Sequence, residues 1–227
     1  MLCIDLNCKA SFAAPHKLAG IGADRGCVFS GKWFFRHRGV IAHAPLLLVL
    51  FWRRGEVHNP AMTWIPGLAL LFAGMTLRIW AQSYIHHRLK LPLELTTGGP
   101  YQLVRNPLYI GNAAICASAT FFARLPWMAP FILLWVFTVY SIVVHYEEDW
   151  LRELYGGPYE RYLQEVPRWL PRLNSLRPIV FWNEFSPKAV RAELHCLLIA
   201  LIFGLKGWAG SPAWHLALAG LRSRLFS

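Results

Sequence analysis

The long apolar segments of this sequence restrict what the chain can fold into more than any other feature. A helix needs about 20 predominantly apolar residues to cross the hydrocarbon core of a bilayer. The segments Ala61–Trp80 and Pro126–Val144 meet that requirement, and the second contains no charged residue. The sequence therefore predicts an all-α fold that crosses a membrane more than once.

Three shorter segments are candidates for further spans. Leu108–Phe122 is rich in Gly, Ala and Ser, a composition that lets helices approach closely. Val40–Trp52 is long enough only if Trp33–Phe35 extend it, and Leu194–Trp208 is a further candidate. Pro212–Leu221 is either an additional short helix or the end of that last span. We predict a multi-pass transmembrane helical bundle of about five spans.

The composition supports a membrane protein and argues against other classes. Charged residues make up only 15% of the chain, whereas soluble domains carry about 25%. With 11 Trp, 14 Phe and 8 Tyr, the chain has far more apolar surface to bury than a disordered protein. The net charge of +11 is compatible with nucleic-acid binding, but a soluble basic domain does not contain such long apolar runs. We predict no nucleic-acid partner, and we expect contact with membrane lipids.

The distribution of Lys and Arg predicts the orientation in the membrane. The arm before the first span, the loop Ala81–Pro107 and the stretch His145–Glu193 together carry sixteen of these residues. The alternate loops carry only three, namely Arg53, Arg54 and Arg124. Because cytoplasmic loops of membrane proteins are enriched in Lys and Arg, the N-terminal arm, the loop Ala81–Pro107 and the stretch His145–Glu193 are predicted to face the cytoplasm.

One domain is predicted between two less regular ends. Residues 1–32 form a polar arm without the apolar stretch of a signal peptide, and we expect this arm to be mobile. Residues 33–222 are expected to form a single transmembrane domain, with the polar residues of interest in 96–173. Residues 181–227 are expected to add a C-terminal helix or hairpin.

The cysteines and histidines predict no metal site. The five cysteines are far apart and form no C-x-x-C pair, so we expect reduced, mostly buried thiols. His86 and His87 are adjacent, and on a helix they point about 100° apart, which makes a poor chelate. His145 lacks the H-E-x-x-H spacing.

Polar residues cluster at two predicted helix ends on the cytoplasmic side. The first cluster is the loop Thr96–Asn112, in which Gly98, Gly99 and Pro100 interrupt any helix. Asn106 is predicted to be the N-cap of a helix that begins at Pro107. This loop brings Arg105 and Tyr109 to the mouth of the third span.

The second cluster, His145–Leu173, begins with the adjacent acids Glu147, Glu148 and Asp149. The helix of the fourth span is expected to continue beyond the membrane as an amphipathic segment until Gly156 and Gly157 end it, and a short helix follows. Together these predict a cytoplasmic cap of short amphipathic helices. A purely structural reading stays open, in which Glu148 and Arg152 form a surface pair and aromatic residues of the clusters belong to an interfacial belt: Tyr109, Trp150 and Trp169.

The two clusters together resemble the integral-membrane methyltransferase family that includes isoprenylcysteine carboxyl methyltransferases and phospholipid N-methyltransferases. The first family signature, G-P-Y-x-x-x-R-[HN]-P-x-Y-x-G, is matched by Gly99, Pro100, Tyr101, Arg105, Asn106, Pro107, Tyr109 and Gly111. The second, E-E-x-x-L-x-x-x-[FY]-G-x-x-Y-x-x-Y-x-x-x-V-P, is matched by Glu147, Glu148, Leu151, Tyr155, Gly156, Tyr159, Tyr162, Val166 and Pro167. The resemblance covers roughly Trp64–Leu173.

The resemblance implies an enzyme that binds S-adenosylmethionine between its core helices and the cytoplasmic cap. The implied acceptor is lipid-like or prenylated and enters through the bilayer. The implied activity is most like that of protein-S-isoprenylcysteine carboxyl O-methyltransferase. The expected location is a bacterial inner membrane. The implied catalytic residues are Glu147, Glu148 and Arg105. The implied cosubstrate-binding residues are Gly99, Pro100, Tyr101, Arg105, Asn106, Pro107, Tyr109, Glu147 and Glu148, and which glutamate contacts the cosubstrate stays open.

Other functions stay open beside this one. The same scaffold is compatible with phospholipid N-methylation or with S-methylation of a small thiol. Val143 and Val144 occupy the region where the prenylcysteine enzymes carry an arginine suited to a substrate carboxylate. A sterol-reductase-like enzyme and a non-enzymatic membrane protein are the remaining alternatives.

Overall fold

The computed structural model describes residues 25–88, 95–171, 190 and 193–210, and every regular element in these ranges is helical. The predicted all-α class is thereby confirmed for the described part of the chain. The α-helices are α1 (Arg25–His43), α2 (Leu46–Phe51), α3 (Pro60–Arg88), α4 (Pro107–Phe122), α5 (Ala129–Tyr155), α6 (Gly157–Glu165) and α7 (Leu194–Ala209). Two short 3-10 turns, Gly99–Gln102 and Pro126–Met128, precede α4 and α5.

Two helical stretches, Pro60–Ile85 and Pro126–Tyr155, are long and apolar enough to cross a membrane. The predicted spans Leu108–Phe122 and Leu194–Trp208 coincide with the shorter apolar helices α4 and α7. Large apolar side chains lie exposed along these helices, among them Ile65, Phe72, Phe131, Leu134 and Leu201. An apolar exterior of this kind suits a lipid environment and not water. The segment Pro212–Leu221 lies outside the described residues.

The candidate span Val40–Trp52 is not one continuous helix, because it is divided between α1 and α2. The chain turns at Ala44 and Pro45, between α1 and α2. Proline has no N–H to donate to the carbonyl four residues earlier, which is that of Ile41. The indole Nε1 of Trp135 donates to this carbonyl instead, at 2.9 Å. α1 itself begins at Arg25, so the end of the predicted polar arm is helical.

α4 lies at the centre of the fold and contacts α3, α5 and α7. Its small residues permit the close packing that the sequence predicts, because a Cβ at Gly74 of α3 would lie 2.8 Å from the carbonyl oxygen of Gly111. Cys116 of α4 and Cys196 of α7 are free and buried, as predicted. Buried apolar residues of these four helices, together with residues of α1 and α2, form one core around α4.

α7 packs against the end of α4 at a glycine. A Cβ added to Gly207 would overlap the carbonyl oxygen of Phe122, which is backbone and has little freedom to move. We expect Gly207→Ala to destabilise the fold by about 2 kcal/mol through overpacking. The matched control is Gly39→Ala in α1, where the new methyl meets nothing within 4 Å. Thermal unfolding in detergent should show a lower midpoint for the first variant and an unchanged or higher one for the second, because alanine favours helix.

Hydrogen bonds join different chain segments at each end of the bundle. At one end, the guanidinium of Arg124 donates from Nε to the carbonyl of Val57 at 2.9 Å, and the carbonyl of Arg124 accepts from the N–H of Val57 at 2.9 Å. At the other end, the loop before α4 meets the segment after α6 through Arg105 and Pro167. Both predicted polar clusters lie at this second end.

Candidate active site

The loop between α3 and α4 is shaped by a glycine that no other residue replaces easily. Gly99 adopts φ +58°, and a Cβ there would overlap the ring of Tyr84 from α3. The chain therefore turns sharply against α3 and forms the 3-10 turn Gly99–Gln102, in which Gly99, Pro100 and Tyr101 are buried. The predicted interruption at Gly98–Pro100 is confirmed, and its cause is close contact with the aromatic ring as well as turn formation.

The end of this loop is joined to the segment after α6. The N–H of Arg105 donates to the carbonyl of Pro167 at 2.9 Å. α4 begins at Pro107 and Asn106 occupies its N-cap position, both as predicted, but the Asn106 side chain makes no capping hydrogen bond. The Asn106 Nδ2 instead donates to the carbonyl of Arg168 at 3.2 Å, which ties the loop to the cap.

α5 continues without interruption past the apolar stretch to Tyr155 and ends where Gly156 adopts φ +58°, as the sequence predicts. It carries Glu147 and Glu148 side by side near its C-terminal end. Neighbouring residues on a helix point about 100° apart, so the two carboxylates meet different partners.

Glu148 is buried between two arginines. Its Oε1 lies 3.1 Å from Nη1 of Arg105 and 3.1 Å from Nε of Arg168, and its Oε2 lies 2.6 Å from Nη2 of Arg168. The alternative of a surface pair with Arg152 is therefore wrong. Arg152 instead contacts Asp149 at 2.8 Å and Glu160 at 3.3 Å. Glu148 thus connects α5 to both the loop before α4 and the segment after α6.

Glu147 meets the aromatic residues of the core. The Tyr109 hydroxyl donates to Glu147 Oε1 at 2.8 Å, and the Tyr109 ring stacks on Tyr140 with 4.4 Å between centroids. Because Tyr109 is buried, its assignment to an interfacial belt is wrong. Trp150 is exposed, and Trp169 packs edge-on against Phe137 at 5.4 Å. The pair of Tyr109 and Glu147 joins the two sequence clusters directly.

Three buried polar atoms in the loop have no hydrogen-bond partner in the described structure. They are the hydroxyl of Tyr101, Oε1 of Gln102 and Nε of Arg105. Buried polar atoms are almost always paired, so three within five residues require an explanation. A polar ligand bound against the loop would provide partners for all three atoms. The protein offers it two donors, from Tyr101 and Arg105, and one acceptor, from Gln102.

The tyrosines of this region stay in their neutral form. Burial raises the pKa of Tyr101 well above its ordinary value, and the nearby Tyr162 and Glu147 raise it further. Burial likewise raises the pKa of Tyr162, whose hydroxyl donates to the carbonyl of Tyr101 at 2.8 Å. Both hydroxyls therefore keep their protons near neutral pH and serve as hydrogen-bond donors.

Sequence reasoning misses several residues that contact this site. Arg168 lies in a segment interpreted only as membrane-surface chain, and its partner Glu148 is twenty positions earlier. Tyr140 lies within an uncharged apolar run and carries no local signal. Arg78 does carry a signal in the sequence, because it is the only charged residue in Ala61–Trp80. An isolated charge inside a span usually has a function.

Part of the chain is similar in sequence to known methyltransferases. A family model described as phospholipid methyltransferase matches residues 62–157. Protein-S-isoprenylcysteine O-methyltransferase B of Arabidopsis thaliana is 30% identical over 146 residues, which cover 59% of this chain and 74% of that protein. No solved structure matches the chain. The range 62–157 contains the loop, Tyr109 and both glutamates, and it ends before Arg168 and α7.

Proposed function

Since the chain belongs to the family of membrane methyltransferases that contains isoprenylcysteine O-methyltransferases and phospholipid methyltransferases, we propose that it transfers the methyl group of S-adenosylmethionine to an apolar acceptor in the bilayer. The protein is a methyltransferase and a membrane protein.

The observation that carries the proposal is the pair of Tyr109 and Glu147 beside a loop with three unpaired buried polar atoms. S-adenosylmethionine has a sulfonium cation, an ammonium group, a carboxylate and ribose hydroxyls. Aromatic faces stabilise cations, and a carboxylate binds ammonium or hydroxyl groups. The hydroxyl of Tyr101 and Nε of Arg105 supply donors, while Oε1 of Gln102 supplies an acceptor. The residues present therefore fit this cosubstrate.

The contacts favour different roles for the two glutamates. Among the described residues, Glu147 accepts one hydrogen bond, from Tyr109, and its second oxygen is available to a ligand. We assign Glu147 to the cosubstrate, together with Tyr109 and the loop residues Gly99, Pro100 and Tyr101. Glu148 is already held by Arg105 and Arg168, so it positions the loop, as do Asn106 and Pro107.

The chemistry asked of these residues is mainly positioning. Bound S-adenosylmethionine supplies an electrophilic methyl group, and in-line displacement requires that donor and acceptor be held in alignment. Tyr109 and Tyr140 supply aromatic surface, and Glu147 orients the polar end of the donor. The chain's own contribution is therefore to hold these groups in place at the cap end of α4 and α5.

The proposed acceptor is a lipid-like or prenylated molecule that enters from the bilayer. The relative from Arabidopsis is an isoprenylcysteine O-methyltransferase by name, which makes an isoprenylcysteine carboxylate the first acceptor to test. The proposed topology has about five spans, with the N-terminus and the cap in the cytoplasm, as the distribution of Lys and Arg favours. A bacterial inner membrane is the proposed location.

A phospholipid amine is the second candidate acceptor, because the matching family model describes phospholipid methyltransferases. Purified protein in detergent should be incubated with methyl-labelled S-adenosylmethionine and with either a farnesylated cysteine derivative or phosphatidylethanolamine. We expect label in the cysteine derivative that is released as methanol by base, since a methyl ester is hydrolysed and an N-methyl group is not. Base-stable label in the lipid would establish the second candidate, and no transfer to either would contradict both.

A further inference from the structure

A buried ion pair lies on the side of the site opposite the cap. Arg78 of α3 and Glu193, the residue before α7, are each 1% exposed. They form a two-pronged pair, with Nε to Oε2 at 2.8 Å and Nη2 to Oε1 at 3.0 Å. The carboxylate also accepts hydrogen bonds from Gln82 at 2.6 Å and from the Cys196 thiol at 3.2 Å. Glu193 lies outside the range that the family model matches.

This pair is connected to the proposed site by direct contacts. Nη1 of Arg78 donates to Oδ1 of Asn112, and Nδ2 of Asn112 donates to the Tyr140 hydroxyl at 3.0 Å. The Tyr140 ring stacks on Tyr109, whose hydroxyl reaches Glu147. A single series of contacts therefore runs from Glu193 to the residue assigned to the cosubstrate.

Each hydrogen bond in the series determines the next. An arginine only donates, so the Asn112 amide must turn its oxygen towards Arg78 and its nitrogen towards Tyr140. The Tyr140 hydroxyl must then accept, which defines the position of its ring. The glycine of the first signature allows this arrangement, because a Cβ at Gly111 would lie 2.5 Å from Cγ of Arg78.

Stability alone is a poor explanation for the pair. Removing two charges from water costs several kcal/mol, and apolar residues of the same volume often stabilise a core as well or better. Inside a membrane protein, such groups are usually retained for function. What the pair supplies here is a defined orientation of Asn112 and, through it, of the two stacked tyrosines.

The geometry points to a positioning role for Glu193 and Arg78, which hold Tyr109 and Tyr140 in register for the methyl donor through Asn112. This inference rests on the proposed function. Because Glu193 lies directly before α7, the inference connects this helix to the site. Among the described contacts, no residue of α7 touches Tyr109 or Glu147 directly. Glu193, Arg78 and Asn112 are positioning residues and not catalytic ones.

The test measures binding of S-adenosylhomocysteine to the full chain in detergent by calorimetry, together with thermal unfolding. Tyr140→Phe removes one hydroxyl and keeps the ring, and we expect about a tenfold weaker affinity, the effect of one lost hydrogen bond. Glu193→Gln should weaken binding to a similar extent. Both substitutions act through the same contacts. The affinity of the double variant should therefore be no lower than that of whichever single variant binds S-adenosylhomocysteine less tightly.

Ser118→Ala is the matched control, because it removes a buried hydroxyl from α4 that bonds only to the carbonyl of Ile115 in its own helix. Its affinity should equal that of the wild type. Unchanged affinity in Tyr140→Phe, or losses that multiply in the double variant, would overturn the positioning role while the proposed function stands. Failure of the wild type to bind S-adenosylhomocysteine would overturn the proposed function and this inference with it.

Discussion

Replacement of Glu147 by glutamine is expected to weaken binding of S-adenosylmethionine by about 10- to 100-fold, with methyl transfer reduced at least as much. The physical reason is the loss of a charge-assisted hydrogen bond, which contributes about 1.5–3 kcal/mol. Glutamine has the same shape and still offers an oxygen to the Tyr109 hydroxyl, which donates to Glu147 at 2.8 Å. Folding should therefore be preserved, and the loss should appear in binding and kinetics and not in the unfolding midpoint.

Asp149→Asn is a closely matched control for this prediction. Asp149 lies two positions further along α5, its side chain is 72% exposed, and its partner is Arg152. The change in charge is identical, but the site contacts are absent. We expect affinity within about threefold of the wild type, because an exposed pair contributes little. Equal losses in both variants would indicate a general effect of charge at this end of α5, and the assignment of Glu147 would then be wrong.

The sequence predicts local features of this fold well because their causes are local. The interruption at Gly98–Pro100, the start of α4 at Pro107 and the end of α5 at Gly156 each follow from the backbone restrictions of glycine and proline. The division between α1 and α2 has the same kind of cause in Pro45. The average hydropathy of Val40–Trp52 does not reveal this division between the helices, because hydropathy does not depend on whether a residue has a backbone N–H.

The contacts of the site are harder to predict because they join residues far apart in the chain. The sequence alone does not distinguish the roles of two adjacent glutamates on a helix. The distinction requires the residues that contact each of the two helix faces. The partner that distinguishes Glu148 is Arg168, in an irregular segment with no periodicity to place it. Arg78 signals a buried partner by its isolation in an apolar run, but that partner is Glu193, 115 positions later. Only the packing of α7 on α4 brings the two together.

The residues outside the family match extend the site in two directions. Arg168, on the cap side, holds Glu148 at 2.6 Å, and Glu193, on the bundle side, holds Arg78 at 2.8 Å. The matched range, 62–157, contains the residues proposed to bind the cosubstrate and also Glu148 and Arg78, which these two later residues hold. The proposed positioning contacts therefore join residues inside the matched range to residues outside it.

Glu148→Ala is expected to have the largest effect on stability of any single change at the site. It removes a carboxylate that is only 4% exposed and leaves Arg105 and Arg168 facing one another without their common partner. Breaking a buried ion pair costs about 3–5 kcal/mol, and we expect about 3 kcal/mol because Arg168 is partly exposed. For a chain of this size that corresponds to a fall of about 6–12 °C in the unfolding midpoint.

The same substitution should also release the cap from the loop before α4, because Arg105 bonds to Pro167 through its N–H and to Glu148 through its side chain. Limited proteolysis should detect faster cleavage near residues 166–171. Glu160→Ala is the control, since it also removes a glutamate paired with an arginine, but both side chains are largely exposed. Its midpoint should stay within about 4 °C of the wild type, as an exposed pair contributes at most about 1 kcal/mol. If Glu148→Ala unfolded at the same temperature as this control, Glu148 would not hold the cap, and it would again compete with Glu147 for the role of cosubstrate ligand.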